Sequence, residues 1–103
     1  MHKIAFYVPE SHLDIVKNAL FTKGAGKIGN YDHCCWQTKG TGQYRPLSSS
    51  KPFSGAQNEL SLVTEFLVEM VCDDYLVEDV IRALKQSHPY ETPAFSIWPV
   101  RTA

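Results

Sequence analysis

His88-Pro89-Tyr90-Glu91-Thr92-Pro93 sets an imidazole, a phenol and a carboxylate between two prolines. Each proline fixes its own φ and removes a backbone donor. Each also drives the residue before it, His88 or Thr92, toward extended geometry. Three polar side chains thus sit on a stiff connector suited to facing a ligand or another subunit. A neutral His88 nitrogen could ligate a metal, with Glu91 completing or orienting the site. As a pair they could move protons. The plainer role is structural, with His88 favouring a helix C-terminus as a cation and Glu91 binding a nearby amide or arginine.

Asp32-His33-Cys34-Cys35 gathers four further metal-ligand types. Structural zinc sites space their cysteines by two to four residues, whereas Cys34 and Cys35 are adjacent. On a strand they would point to opposite faces, leaving His33 and Cys35 as half a site. The plainer reading is a small buried hydrophobe beside a polar turn. Cys34 could pair with His88 as a nucleophile, but nothing in the sequence marks a lowered thiol pKa. Ser48 to Ser50 lack the glycine elbow of a hydrolase serine.

Gly24-Ala25-Gly26-Lys27-Ile28-Gly29 matches G-x-G-x-x-G. The dinucleotide fingerprint needs a strand before it and a helix after it. Here a helix pattern precedes it and Asn30-Tyr31-Asp32 reads as a turn, so the motif is a helix stop with a tight loop. Its amides at Gly26 and Gly29, with Tyr44 and Arg45, are a weaker candidate for anion binding. Trp36, Tyr44 and Phe53 lie among Lys39, Arg45 and Lys51, a mixture that can stack single-stranded nucleic acid. A net charge of −1 and the acids on both predicted helices oppose that. Strand aromatics meeting a partner fit better, with Trp36, Phe53 and Trp98 as the anchors.

The elements that must carry these residues repeat. Ile4, Phe6 and Val8 alternate with polar or smaller neighbours, which predicts a strand. Pro9 is expected to stop its pairing. Glu10-Ser11 opens a helix whose inner face is Leu13, Val16 and Leu20, and Gly24 stops it. The second half follows the same plan. Thr64, Phe66, Val68 and Met70 predict a strand, and Cys72-Asp73-Asp74 is expected to cap a helix. That helix carries Val77, Val80, Ile81 and Leu84 inward and ends before His88-Pro89. Phe95 and Ile97 mark a closing strand. Phe6 falls on Met70, Val16 on Val80 and Leu20 on Leu84 at one fixed offset. Two β–α units in succession predict an α+β, ferredoxin-like βαβ-βαβ sandwich, with two helices on one face of an antiparallel sheet.

The middle, residues 25–59, is read as an insertion. His33 to Thr38 and Gln43 to Arg45 are expected to be short strands joined through Lys39-Gly40-Thr41-Gly42. Leu47 to Asn58 is expected to be a mobile polar excursion.

At 103 residues, 44% of them hydrophobic and 20% charged, residues 1–103 are expected to form one domain. The apolar run at the N-terminus is too short for a signal peptide, and no stretch approaches a membrane span. Three cysteines with one vicinal pair do not make a disulfide framework, so reduced thiols and a cytoplasmic setting are expected.

His88 to Pro93, placed between a helix and the last strand, resembles the closing motif of the CutA divalent-cation-tolerance family. That resemblance implies a PII-like, ferredoxin-like fold and trimers. A fuller resemblance is to the PII-like domain inserted in Nif-three-like (NGG-one-interacting-factor-three) proteins. It rests on Val8-Pro9-Glu10, Gly24 to Tyr31, Cys34, Gly42-Gln43-Tyr44-Arg45-Pro46 and His88 to Glu91, in that order, and spans Ile4 to Val100. The parent family carries a two-metal site in flanking segments that this sequence lacks. The chain is therefore expected to be the insert standing alone, without the hydrolase activity suggested for the parent. What the resemblance carries over is an oligomeric binding or regulatory module, a trimer before a dimer. A small ligand or divalent metal would sit between subunits near His88, Tyr90 and Glu91, with Tyr44, Arg45 and the glycine loop nearby. Two other readings stay open. One is a metal-dependent enzyme using His33, Cys34 and His88. The other is a protein-interaction adaptor using the three aromatic anchors.

Overall fold

The structure is a computed structural model that describes residues 1–102. Strand β1 (His2–Pro9) leads through a 3-10 turn (Glu10–His12) into helix α1 (Leu13–Thr22). Strands β2 (Trp36–Tyr44) and β3 (Ser61–Cys72) follow. A second 3-10 turn (Asp74–Leu76), helix α2 (Val77–Ser87) and strand β4 (Phe95–Pro99) complete the chain. The sheet order is β2-β3-β1-β4, with every neighbouring pair antiparallel. This is the α+β, ferredoxin-like arrangement that the repeated β–α pattern predicts.

The core lies between the two helices and one sheet face. Ile4, Phe6 and Val8 of β1 and Val68, Met70 and Cys72 of β3 meet Leu13, Val16 and Leu20 of α1 and Val80, Ala83 and Leu84 of α2. Strand alternation makes the opposite face a separate surface. Tyr7, Leu67, Trp36 and Trp98 belong to it by register. No helix covers them.

The two halves start their helices in the same way. Pro9 (φ −66°, ψ 151°) and Asp73 (φ −66°, ψ 149°) each turn an extended chain into a 3-10 turn. Neither uses a side-chain cap, so the capping role expected of Asp73 and Asp74 is not filled. Asp74 instead accepts from His2 Nδ1 at 2.7 Å. Pro9 also does not end pairing, since it still lies opposite Glu65. It is the last residue of β1, where a missing donor costs least.

The largest departure from the sequence expectation is β2. It is one strand from Trp36 to Tyr44, not two short strands around a Lys39–Gly42 turn. Gly40 and Gly42 pair with Glu65 and Val63 inside the ladder. Gly42 has a steric reason to be there, because an added Cβ would run into the Glu65 side chain. Cys34 and Cys35 precede this strand rather than lying on it, so the opposite-faces expectation does not apply.

Candidate ligand cavity at the exit of the second helix

His88 ends α2. Its amide donates to Leu84 O at 3.0 Å, and its backbone is extended (φ −76°, ψ 136°), as the following proline requires. The side chain is buried. Nε2 lies 2.7 Å from Tyr7 O, and Nδ1 lies 3.1 Å from the Tyr90 amide. A carbonyl only accepts and an amide N–H only donates. Nε2 must therefore carry the proton and Nδ1 the lone pair, which makes His88 a neutral imidazole with both nitrogens in use. Burial, the main cause, pushes its pKa below the ordinary value, and the Tyr7 carbonyl partly opposes this. The cationic helix cap considered from sequence is thus not what forms. A metal could bind His88 only by breaking one of these contacts.

The imidazole fixes the connector and aims Tyr90. The His88 and Tyr90 rings lie 4.8 Å apart. Tyr90 in turn faces Tyr44 at 6.3 Å and Phe53 at 6.2 Å. Its hydroxyl oxygen is buried without a hydrogen bond of standard geometry. Burial first, then the neighbouring Glu65 carboxylate, holds the phenol well above its ordinary pKa, so it stays protonated. Glu91 is exposed and accepts the Lys51 amide at 3.0 Å, tying the connector to the loop after β2. Tyr44 Oη donates to Ser54 O at 2.7 Å and ties the same loop again. The segment expected to be a mobile excursion is thus fastened to the body at both places.

Loop, connector and open sheet face enclose a cavity of about 540 Å³. Tyr7, Tyr44, Phe53 and Tyr90 line it, with Glu65 and Leu67 from β3. Its size falls within the usual range for small-ligand pockets, roughly 300–1,000 Å³. Phe53, expected from sequence beside the tryptophans, belongs here, packed edge-on to His12 at 5.4 Å. Glu65 and Tyr7 were not anticipated. Glu65 is one of two acids, with Glu69, in a largely apolar strand, and its glycine partners become visible only once β2 is paired.

The other proposed site residues lie apart from the cavity, except Tyr44; its exposed neighbour Arg45 does not line it. The glycine loop closes on the far end of β3, where the Gly26 amide donates to Val71 O at 2.8 Å. The amides of Gly24, Ala25, Ile28 and Cys34 are also spent on backbone carbonyls. Gly26 therefore offers no free amide to an anion, and Gly29 (φ 57°) sits in a two-residue turn between Ile28 and Tyr31. Tyr44, opposite Ser61, is at the other end of the same strand. His33 packs against Phe21 at 4.8 Å and pairs with Asp32, and Cys34 is held by Gly26 O. His33 and Cys34 are therefore not gathered with His88. Among the described residues no group of three or more His, Cys, Asp or Glu side chains could hold a metal ion. The donor set of one chain does not fit a divalent-metal centre. Trp36 (69% exposed) and Trp98 (38% exposed) stand on the uncovered sheet face.

Comparison with known proteins agrees with this fold. No family model matches the chain. The GTP cyclohydrolase 1 type 2 homolog of Bacillus subtilis is 43% identical over 97% of the chain, which spans 27% of that relative. A Bacillus cereus protein related to NIF3 superposes with a TM-score of 0.83 at 34% identity, over 98% of this chain and 26% of that one. The chain is a PII/CutA-like domain similar to the insert of Nif-three-like proteins. The periplasmic divalent cation tolerance protein CutA of Archaeoglobus fulgidus shares the fold alone, with a TM-score of 0.70 at 17% identity over 100% of this chain and 87% of that one. The domain thus matches CutA across nearly its whole length but only about a quarter of each Nif-three-like protein. No helix among the described residues is long and apolar enough to cross a membrane.

Proposed function

We propose that this PII-like domain is a non-catalytic, oligomeric binding module whose open sheet faces meet in a homotrimer and whose cavity takes a small ligand beside that contact. The observation that carries the reading is the uncovered face itself. It displays Trp36 and Trp98 with Tyr7 and Leu67, and it continues into the cavity through Tyr7 and Leu67. Exposed tryptophans on an uncovered face, set around a Lys3–Glu69 ion pair at 3.9 Å, suit a mixed apolar and polar interaction site. A second copy would also cover long strand edges that otherwise invite uncontrolled pairing.

A binding role also suits the chemistry at His88. A buried imidazole with both nitrogens engaged is poorly placed to act as base or nucleophile activator, whereas it is well placed to orient Tyr90. The activity named for the full-length relatives belongs to chains of which this one is about a quarter, and it is not proposed for this domain. Its free thiols at Cys34, Cys35 and Cys72 support a cytoplasmic setting.

Native mass spectrometry of the purified chain tests the reading. A trimer mass with a co-purified small molecule is expected. A monomer with nothing bound would overturn it, and a dimer would keep the module but replace the proposed symmetry.

A further inference from the structure

Resting on the ligand reading above, we propose that the cavity takes a small organic cation with N–H donors, a guanidinium or primary ammonium head. Its charge balance points that way. Two carboxylates, Glu65 and Glu91, line it against one basic side chain, Lys39. Lys39 lies opposite Phe66, so its side chain leaves on the helix-covered face, where it pairs with Glu10 at 3.9 Å. Glu91 already accepts the Lys51 amide. Glu65 is half-buried and forms no ion pair among the described residues. Apart from the neighbouring Tyr90 hydroxyl, its oxygens are left to accept from a ligand's N–H donors.

The walls agree with the floor. The Tyr44 and Phe53 rings stand 6.3 and 6.2 Å from that of Tyr90. Aromatic faces attract a cation within about 6 Å of the ring centroid and repel an anion. Tyr44 spends its hydroxyl on Ser54, which fixes its ring as a wall. The buried Tyr90 Oη lies beside the Glu65 carboxylate, which holds its proton, and has no other partner, so its lone pairs can accept one N–H of the ligand while Glu65 accepts another. Gly42 is part of the device, because a side chain there would run into Glu65. A phosphate-bearing ligand would meet two carboxylates and the negative faces of these rings. A neutral one would leave Glu65 without an ion pair.

The test is a titration of the isotopically labelled chain, in its native assembly, followed through the amide resonances of Gly40, Gly42 and Tyr90. The probes are butylguanidinium, the neutral 1-pentanol and adenosine monophosphate. Butylguanidinium is expected to shift these resonances saturably, and Glu65→Gln to weaken it about tenfold while the rest of the spectrum stays in place. Equal or tighter binding of pentanol or the nucleotide at the same resonances would sink the cation assignment and keep the ligand reading. So would unchanged affinity in Glu65→Gln. If no probe moves these resonances, for instance because a second copy fills the cavity, the ligand reading falls as well. The trimer would still stand or fall on its mass.

Discussion

The two β–α units of this chain share a scaffold and part company where their helices end. Both begin with a strand that buries alternate residues, an extended residue and a 3-10 turn. Leu20 and Leu84 occupy the same place in the two helices, and both are fully buried. After α1 the chain reaches Gly24 at φ 97° and turns back on itself. After α2 the corresponding position is His88, extended and locked by proline. The first exit spends its amides on its own backbone and on Val71 and delivers the chain to an edge strand. The second spends an imidazole on Tyr7 and Tyr90 and leaves a phenol facing a cavity. The same fold unit is thus closed at one end and open to a cavity at the other, and the difference lies in six residues rather than in topology.

The largest effects should be those that treat the units alike. Leu20→Ala and Leu84→Ala are each expected to cost about 2–5 kcal/mol in chemical denaturation, since both empty a fully packed site. A large loss in one and little in the other would break the equivalence of the halves. Next comes a substitution that should hurt only the first exit. Gly26→Ala forces a side chain onto a left-handed backbone, against Cys34 O and the Phe21 ring. It is expected to cost roughly 1–3 kcal/mol and to leave the Tyr90 resonances in place.

A pH titration sharpens the second exit. His88 has a folded pKa below its ordinary value near 6.5, so the unfolded chain takes up a proton before the folded one does. Above about pH 6.5 this residue adds no pH dependence. Below it, stability should fall as pH drops toward the folded pKa, by at most about 1.4 kcal/mol per pH unit. His88→Gln should remove that slope in parallel denaturation curves. A slope that persists would assign the effect to another group. The smallest effect is expected from Glu91→Gln. It weakens a single acceptor for the Lys51 amide, costs under about 1 kcal/mol and speeds hydrogen exchange at that amide.

Much of the scaffold could be read from the sequence, because strand and helix periodicities record which face is buried. Ile4, Phe6 and Val8 and the pair Val80 and Leu84 are core for that reason. Proline chemistry also made the extended His88 backbone legible. What stayed hidden depends on partners distant in the chain. Gly40 and Gly42 look like a turn until β3 pairs with them, and Glu65 explains Gly42 only across that ladder. The occupancy of both His88 nitrogens depends on a carbonyl in β1. Phe53 is half-exposed, as a surface anchor would be, but its place beside Tyr90 could not be read from sequence, because it follows from the Lys51–Glu91 and Tyr44–Ser54 ties.

Both units lend their outer sheet residues to the same uncovered face, and the proposed assembly depends on what covers it. Sedimentation of the wild-type chain beside Trp36→Glu tests this most directly, since Trp36 is exposed and its loss should leave the core intact. A trimer of the 11.6 kDa chain is expected for the wild type and a folded monomer for the variant. A wild type that sediments as a monomer, or a variant that remains a trimer, would contradict it.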